Sequence, residues 1–258
     1  MKNLLKIKSP LLLVLGLGFL GFLLRLWTLA GGPDDMGLYP DHFFVWCFLL
    51  IVSILCGIAV VLSIMPLRKN GKYADHFPAS LPAAICSGLG ALAIFLSCFR
   101  LTAGLRVFAG FFVVLMGTLA AASFAMGAVA RYQGKRPAFW IHAVPCLYLC
   151  VRLFLCCRAW GSVTQAGNFL FPFLASVFIL LAVYQLTCFD VNLGNRRMNL
   201  LWNLLGIYTC MVSLAKSDDI LFYACMSLYL LTHLCVTTPL RPRKAPTSSE
   251  AASPEENQ

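Results

Sequence analysis

Charge is what this sequence has least of. Only 12% of its 258 residues are Asp, Glu, Lys or Arg, and only 10 are acidic. Soluble domains carry about 25% charged residues, so a conventional water-facing surface is excluded. Local signatures of catalysis are missing as well. There is no His-Glu-x-x-His run for a zinc protease and no Gly-x4-Gly-Lys-Ser/Thr phosphate loop. No Gly-x-Ser-x-Gly nucleophile turn occurs either. The one dense acidic stretch, GGPDDMGLYPDHF from Gly31 to Phe43, separates Asp34 and Asp35 from Asp41 by MGLYP. That spacing does not match the Asp-Asp-x-x-Asp pattern of prenyl-transferring membrane enzymes. No acidic residue falls at the centre of a long apolar run, where cation-coupled transporters often carry one.

Apolar residues are what is there. They make up 60% of the chain, with 20 Phe, and the mean hydropathy is +0.82. A spanning helix needs about 20 mostly apolar residues. Runs of that kind lie at 10–29, 43–65, 81–99, 107–130, 138–157, 167–188, 198–215 and 219–239. The expected fold is therefore all-α, a polytopic bundle of about eight transmembrane helices over residues 1–239. Residues 240–258, rich in Pro, Ser and Glu, read as a disordered cytoplasmic tail.

Lys and Arg are distributed unevenly over the connections. Lys2, Lys6 and Lys8, then Arg68, Lys69 and Lys72, Arg131, Lys135 and Arg136, Arg196 and Arg197, and Arg241, Arg243 and Lys244 fall on one side. The other side holds Arg100, Arg106, Arg158 and Lys216. Basic residues in short loops mark the cytoplasmic side, so both termini are expected there, in a plasma membrane. Charge dispersed over alternate helix ends is unlike the single basic face that nucleic acid requires. Thr28-Leu29-Ala30 loosely resembles a signal-peptidase site, but the preceding run exceeds the usual 7–15 residues. The first helix is expected to stay, and its cleavage would leave seven spans.

The twelve cysteines all lie in or beside apolar runs, where Cys behaves as a small hydrophobe. Pro10, Pro78 with Pro82, and Pro137 each follow a basic segment, and Phe95–Arg100 (FLSCFR) resembles Phe154–Arg158 (FLCCR). A two-helix hairpin is the repeat these suggest. Small residues four apart allow close helix approach in lipid. Ala84 with Gly88 and Ser87 with Ala91, facing Gly117, Ala121, Ala125, Ser123 and Gly127, predict a tight pair from the third and fourth spans.

Arg25 and Arg152 lie inside spans near the non-cytoplasmic end, where charge is costly. With Asp34, Asp35, Asp41, Arg158 and Gln165 they form the candidate outward polar site. It reads either as rim ion pairs or as an anion pocket. His142, Cys146 and Cys150 recur at i, i+4 and i+8, with residue types that suit transition metals. One helix face does not wrap a metal, so none is expected. His142 and His233 lie at similar depth and are the pair a haem would use, but no cofactor is expected. The leading expectation is a non-enzymatic membrane protein, an accessory, sensing or scaffold subunit. Its partners would be the bilayer and a protein or second copy. The alternative is a small-solute or anion transporter using Arg25 and Arg152. The overall texture resembles that of small multi-pass bacterial proteins, with no motif tying it to one of them.

Overall fold

The computed structural model describes residues 2–30, 43–65, 77–102, 105–160, 169–215 and 219–236, with the side chains of residues 2–9 and Trp160 left out. Among these residues the fold is all-helical. Its elements are α1 (Lys2–Thr28), α2 (Phe43–Ile64), α3 (Leu81–Thr102), α4 (Val107–Gln133), α5 (Trp140–Trp160), α6 (Leu170–Asp190), α7 (Arg196–Ser213) and α8 (Ile220–Val236). Each expected apolar run overlaps one helix. α1 begins at Lys2, so Pro10 lies inside it and not in its first turn as its place in the repeat implied. Pro82 does occupy the first turn of α3.

Six helices, α1 to α6, are long and apolar enough to cross a membrane. The last two fall short for different reasons. α8 has 17 residues, about 25 Å at 1.5 Å per residue. α7 carries Arg196, Arg197, Asn199 and Asn203. These polar residues are tolerated because α7 is the most enclosed helix, packed on by α1, α2, α6 and α8.

Two connections are set by local chemistry. Gly134 ends α4 at φ 65°, in the left-handed region that glycine enters without steric cost. Its N–H bonds Arg131 O and the Lys135 N–H bonds Ala130 O, which closes the last turn. Between α6 and α7, Asn192 takes φ 59°, a conformation Asn adopts more readily than most residues. Asn195 then caps α7, its side chain accepting from the Arg197 and Met198 N–H groups.

Six helices close a ring. α3 packs on α4, α4 on α5, α5 on α6, α6 on α7, α7 on α8, and α8 returns to α3. The α1–α2 hairpin docks on α7 from outside. Gly18 and Gly21 of α1 let Met211, Val212 and Tyr208 approach closely, and Ser53 of α2 bonds the Tyr208 hydroxyl at 2.7 Å. The end at which α1, α3, α5 and α7 begin is termed the near end below, and the opposite one the far end.

The α3–α4 pair is the most extensive contact in the ring. A Cβ on Gly117 would lie 2.5 Å from that of Cys98, and one on Gly90 would meet Phe124. The expected ridges are right in part. Ser87, Ala91, Gly117, Ala121 and Gly127 are buried, whereas Ala125 is exposed and Gly88 faces open space. Gly127 packs on His142 of α5, not on α3.

Burial is inverted relative to a soluble protein. Large apolar side chains such as Phe19, Phe44, Ile54, Leu55, Phe111 and Phe154 point outward, while Ser97, Ser176, Asn199, Asn203, Thr209 and Ser213 are inside. Lipid cannot satisfy polar groups, so they turn toward protein. These are the helices of an integral membrane protein.

Candidate functional site

The ring interior carries polar clusters at both ends. At the far end, Arg152 of α5 is buried to 2% exposure. Its Nη2 donates to Asp219 Oδ2 at 2.8 Å, and its Nη1 donates to the Ser176 hydroxyl at 3.2 Å. The guanidinium lies 3.7 Å from the centre of the Phe222 ring and 5.6 Å from that of Tyr223. Ser176 and Tyr223 both donate to the Pro172 carbonyl. That carbonyl lies in the first turn of α6 and accepts both hydroxyls, a carbonyl oxygen having two lone pairs. Arg100 adds a longer contact to Asp219 at 3.8 Å. The arrangement neutralises one buried cation with one carboxylate and two aromatic faces, as a charge removed from water requires.

At the near end, His142 Nδ1 and Asp190 Oδ2 are 2.6 Å apart, both side chains buried. Beside them lies a cavity of about 20 Å³ lined by Ser87, Phe124, Gly127, Arg131, His142, Leu186, Tyr229 and His233. That volume holds one or two waters. Arg131 stands over Phe77 at 4.4 Å, and Phe77 also packs against His233, ring centres 4.9 Å apart. Asp190 Oδ1 is buried and has no hydrogen-bond partner among the described residues.

Between the clusters the interior is packed with Phe124, Tyr148, Met226 and Ile94, all nearly inaccessible. The Tyr148 hydroxyl reaches Ser97 across the ring at 3.1 Å. His142 and Arg152 are ten residues apart on α5, about 15 Å along a helix.

Of the candidate outward residues, Asp34, Asp35, Asp41 and Gln165 lie outside the described residues. Arg158 is exposed. Arg25 is buried where α1 meets α6 and α7, with its Nε donating to Ala215 O at 3.4 Å and its guanidinium 5.3 Å from the Phe171 ring centre. Arg152 sits inside the ring. The row His142, Cys146, Cys150 does not converge, being buried, half-buried and exposed in turn. Residues four apart drift about 40° around a helix, so the row turns away from the interior. Cys146 reaches the Leu180 carbonyl. Among the described residues no three of His, Cys, Asp and Glu gather as metal ligands, and all twelve cysteines are free. His142 and His233 do share a cavity, but one of water size with no room for a haem.

Sequence reasoning treated Arg131 as a base of a connection and did not place Asp190 in a candidate site. A signal for Arg131 was present. Gly134 is a helix stop, so Arg131 belongs to the last turn of α4. Nothing in the sequence pairs His142 with Asp190, 48 residues later.

Comparison with known proteins finds no matching family model, no similar curated protein and no similar solved structure.

Proposed function

We propose that this chain is an eight-span, non-enzymatic plasma-membrane protein with both termini in the cytoplasm, acting as an accessory or sensing subunit alongside a partner. The near end is then cytoplasmic. The observation that carries this reading is how the buried charges inside the ring are engaged. Arg152 is held by Asp219, Ser176 and Phe222, and His142 by Asp190. The cavity beside them is water-sized. Groups fixed on one another in this way suit a scaffold that holds or transmits a conformation more than one that turns over a substrate. Cross-linking in native membranes followed by purification tests it. A partner recovered in fixed stoichiometry is the expected result, and full activity of the isolated chain would overturn it.

A second reading is small-solute transport. What favours it is the order of the hairpins, since transporters are often built from internal repeats. The hairpins α3–α4, α5–α6 and α7–α8 follow one another around the ring, each second helix against the next first one, as repeated units would. Uptake into proteoliposomes that is lost in Arg152→Ala would select this reading. Absence of uptake for a panel of anions and amino acids would remove it.

A further inference from the structure

We propose that the near-end cavity is a proton-exchange site, in which water held between His142 and His233 passes a proton from one ring to the other. Asp190 is the positioning residue. The inference goes beyond the subunit reading and does not depend on a partner.

Three observations carry it. First, Asp190 Oδ2 sits 2.6 Å from His142 Nδ1. A carboxylate there fixes the proton on Nδ1 and leaves Nε2 as the exchanging position. Second, Nε2 is directed to the cavity wall. A Cβ added at Gly127, itself a cavity residue, would lie 3.1 Å from it. Third, His233 lines the same cavity, which has a polar wall and room for one or two waters.

The step balances without any further reactant. Charged His142 gives its Nε2 proton to the water, and the water gives another proton to a bare nitrogen of His233. One N–H bond breaks, one forms, and the water keeps two protons. The Nδ1 bond to Asp190 is retained throughout. The groups facing the site come from every surrounding helix. Ser87 of α3 is neutral. α4 contributes the charged Arg131. α6 contributes the Asp190 carboxylate, in contact with His142 Nδ1. α8 contributes Tyr229 and His233. Arg136, between α4 and α5, is a further cation on the side of Asp190.

The test uses the full chain in lipid nanodiscs with ring-15N histidine, observed by NMR from about pH 5 to about pH 9, the range in which imidazoles exchange protons. His142→Gln and His233→Gln assign the two rings. The His142 Nδ1 signal is expected to stay protonated while its Nε2 signal moves with pH, and the His233 signal is expected to move with it. Gly127→Ala keeps every polar group but places a methyl against Nε2. It is expected to abolish the coupled His233 movement while the protein still elutes as one species. An invariant Nε2 signal in the unmodified chain overturns the proposal, as does coupled movement that survives Gly127→Ala.

Discussion

At the far end of the ring, the Arg152 guanidinium touches a carboxylate, a hydroxyl and an aromatic face at once. Taking a cation out of water costs several kcal/mol, and breaking a buried pair leaves that cost without its compensation. Asp219→Ala should therefore lower stability by about 3 kcal/mol, the low end for a buried pair, because Asp219 retains 17% exposure. Arg152→Met combined with Asp219→Leu should recover most of that loss, since apolar replacement of both partners is often neutral. Thermal melting of the three proteins in one detergent measures it. Equal losses in the single and double variants would show that Arg152 does more than pair. Ser176→Ala removes one neutral acceptor from Arg152 and should cost only about 1 kcal/mol.

Helices approach one another in this bundle where side chains are smallest. Gly117 faces Cys98 and Tyr148 with no space for a methyl, whereas Gly57 and Gly88 meet nothing within 4 Å. Gly117→Ala should destabilise by about 1–3 kcal/mol through overpacking. Gly57→Ala should be neutral or stabilising by up to about 1 kcal/mol, because Ala is the better helix former. The opposite signs, read by melting temperature or by protease resistance in detergent, distinguish packing from propensity. α7 makes the same point from the polar side. Asn203 donates to the Asn199 carbonyl and side chain, Thr209 bonds back to Leu205, and Ser213 bonds to Thr209. A helix that bonds most of its polar side chains back to itself can be enclosed within a membrane bundle, and of these groups only the buried Asn203 Oδ1 has no hydrogen-bond partner among the described residues.

The described residues form a ring of six helices with a hairpin docked outside it, large apolar side chains turned outward. With basic residues on alternate connections, the proposed orientation makes a direct prediction. A C-terminal green fluorescent protein fusion should fluoresce and a C-terminal alkaline phosphatase fusion should be inactive. A phosphatase placed between α1 and α2 should be active. The reverse pattern would invert the orientation and move the His142 cavity to the outer face. An active phosphatase at the C-terminus together with an active one between α1 and α2 would break the eight-span count.

Periodicity was not needed to find these helices. Long apolar runs alone located the eight described helices, all but the start of α1 within a few residues, because lipid demands internally bonded backbone over a set length. Small residues at four-residue spacing found the α3–α4 pair, though not which ridge is buried, since every face of an apolar helix looks alike in sequence. Arg25 and Arg152 stood out for the same reason the helices did: a charge in an apolar run is conspicuous. Their partners were not legible. Ser176 and Phe222 come from two other helices, and Asp190 reaches His142 only because α6 packs on α5 in one particular rotation. Composition determined the solvent this chain faces, because transfer free energy adds up residue by residue. Only tertiary packing decided which polar groups meet, because that depends on helix neighbours and rotations that no local pattern encodes.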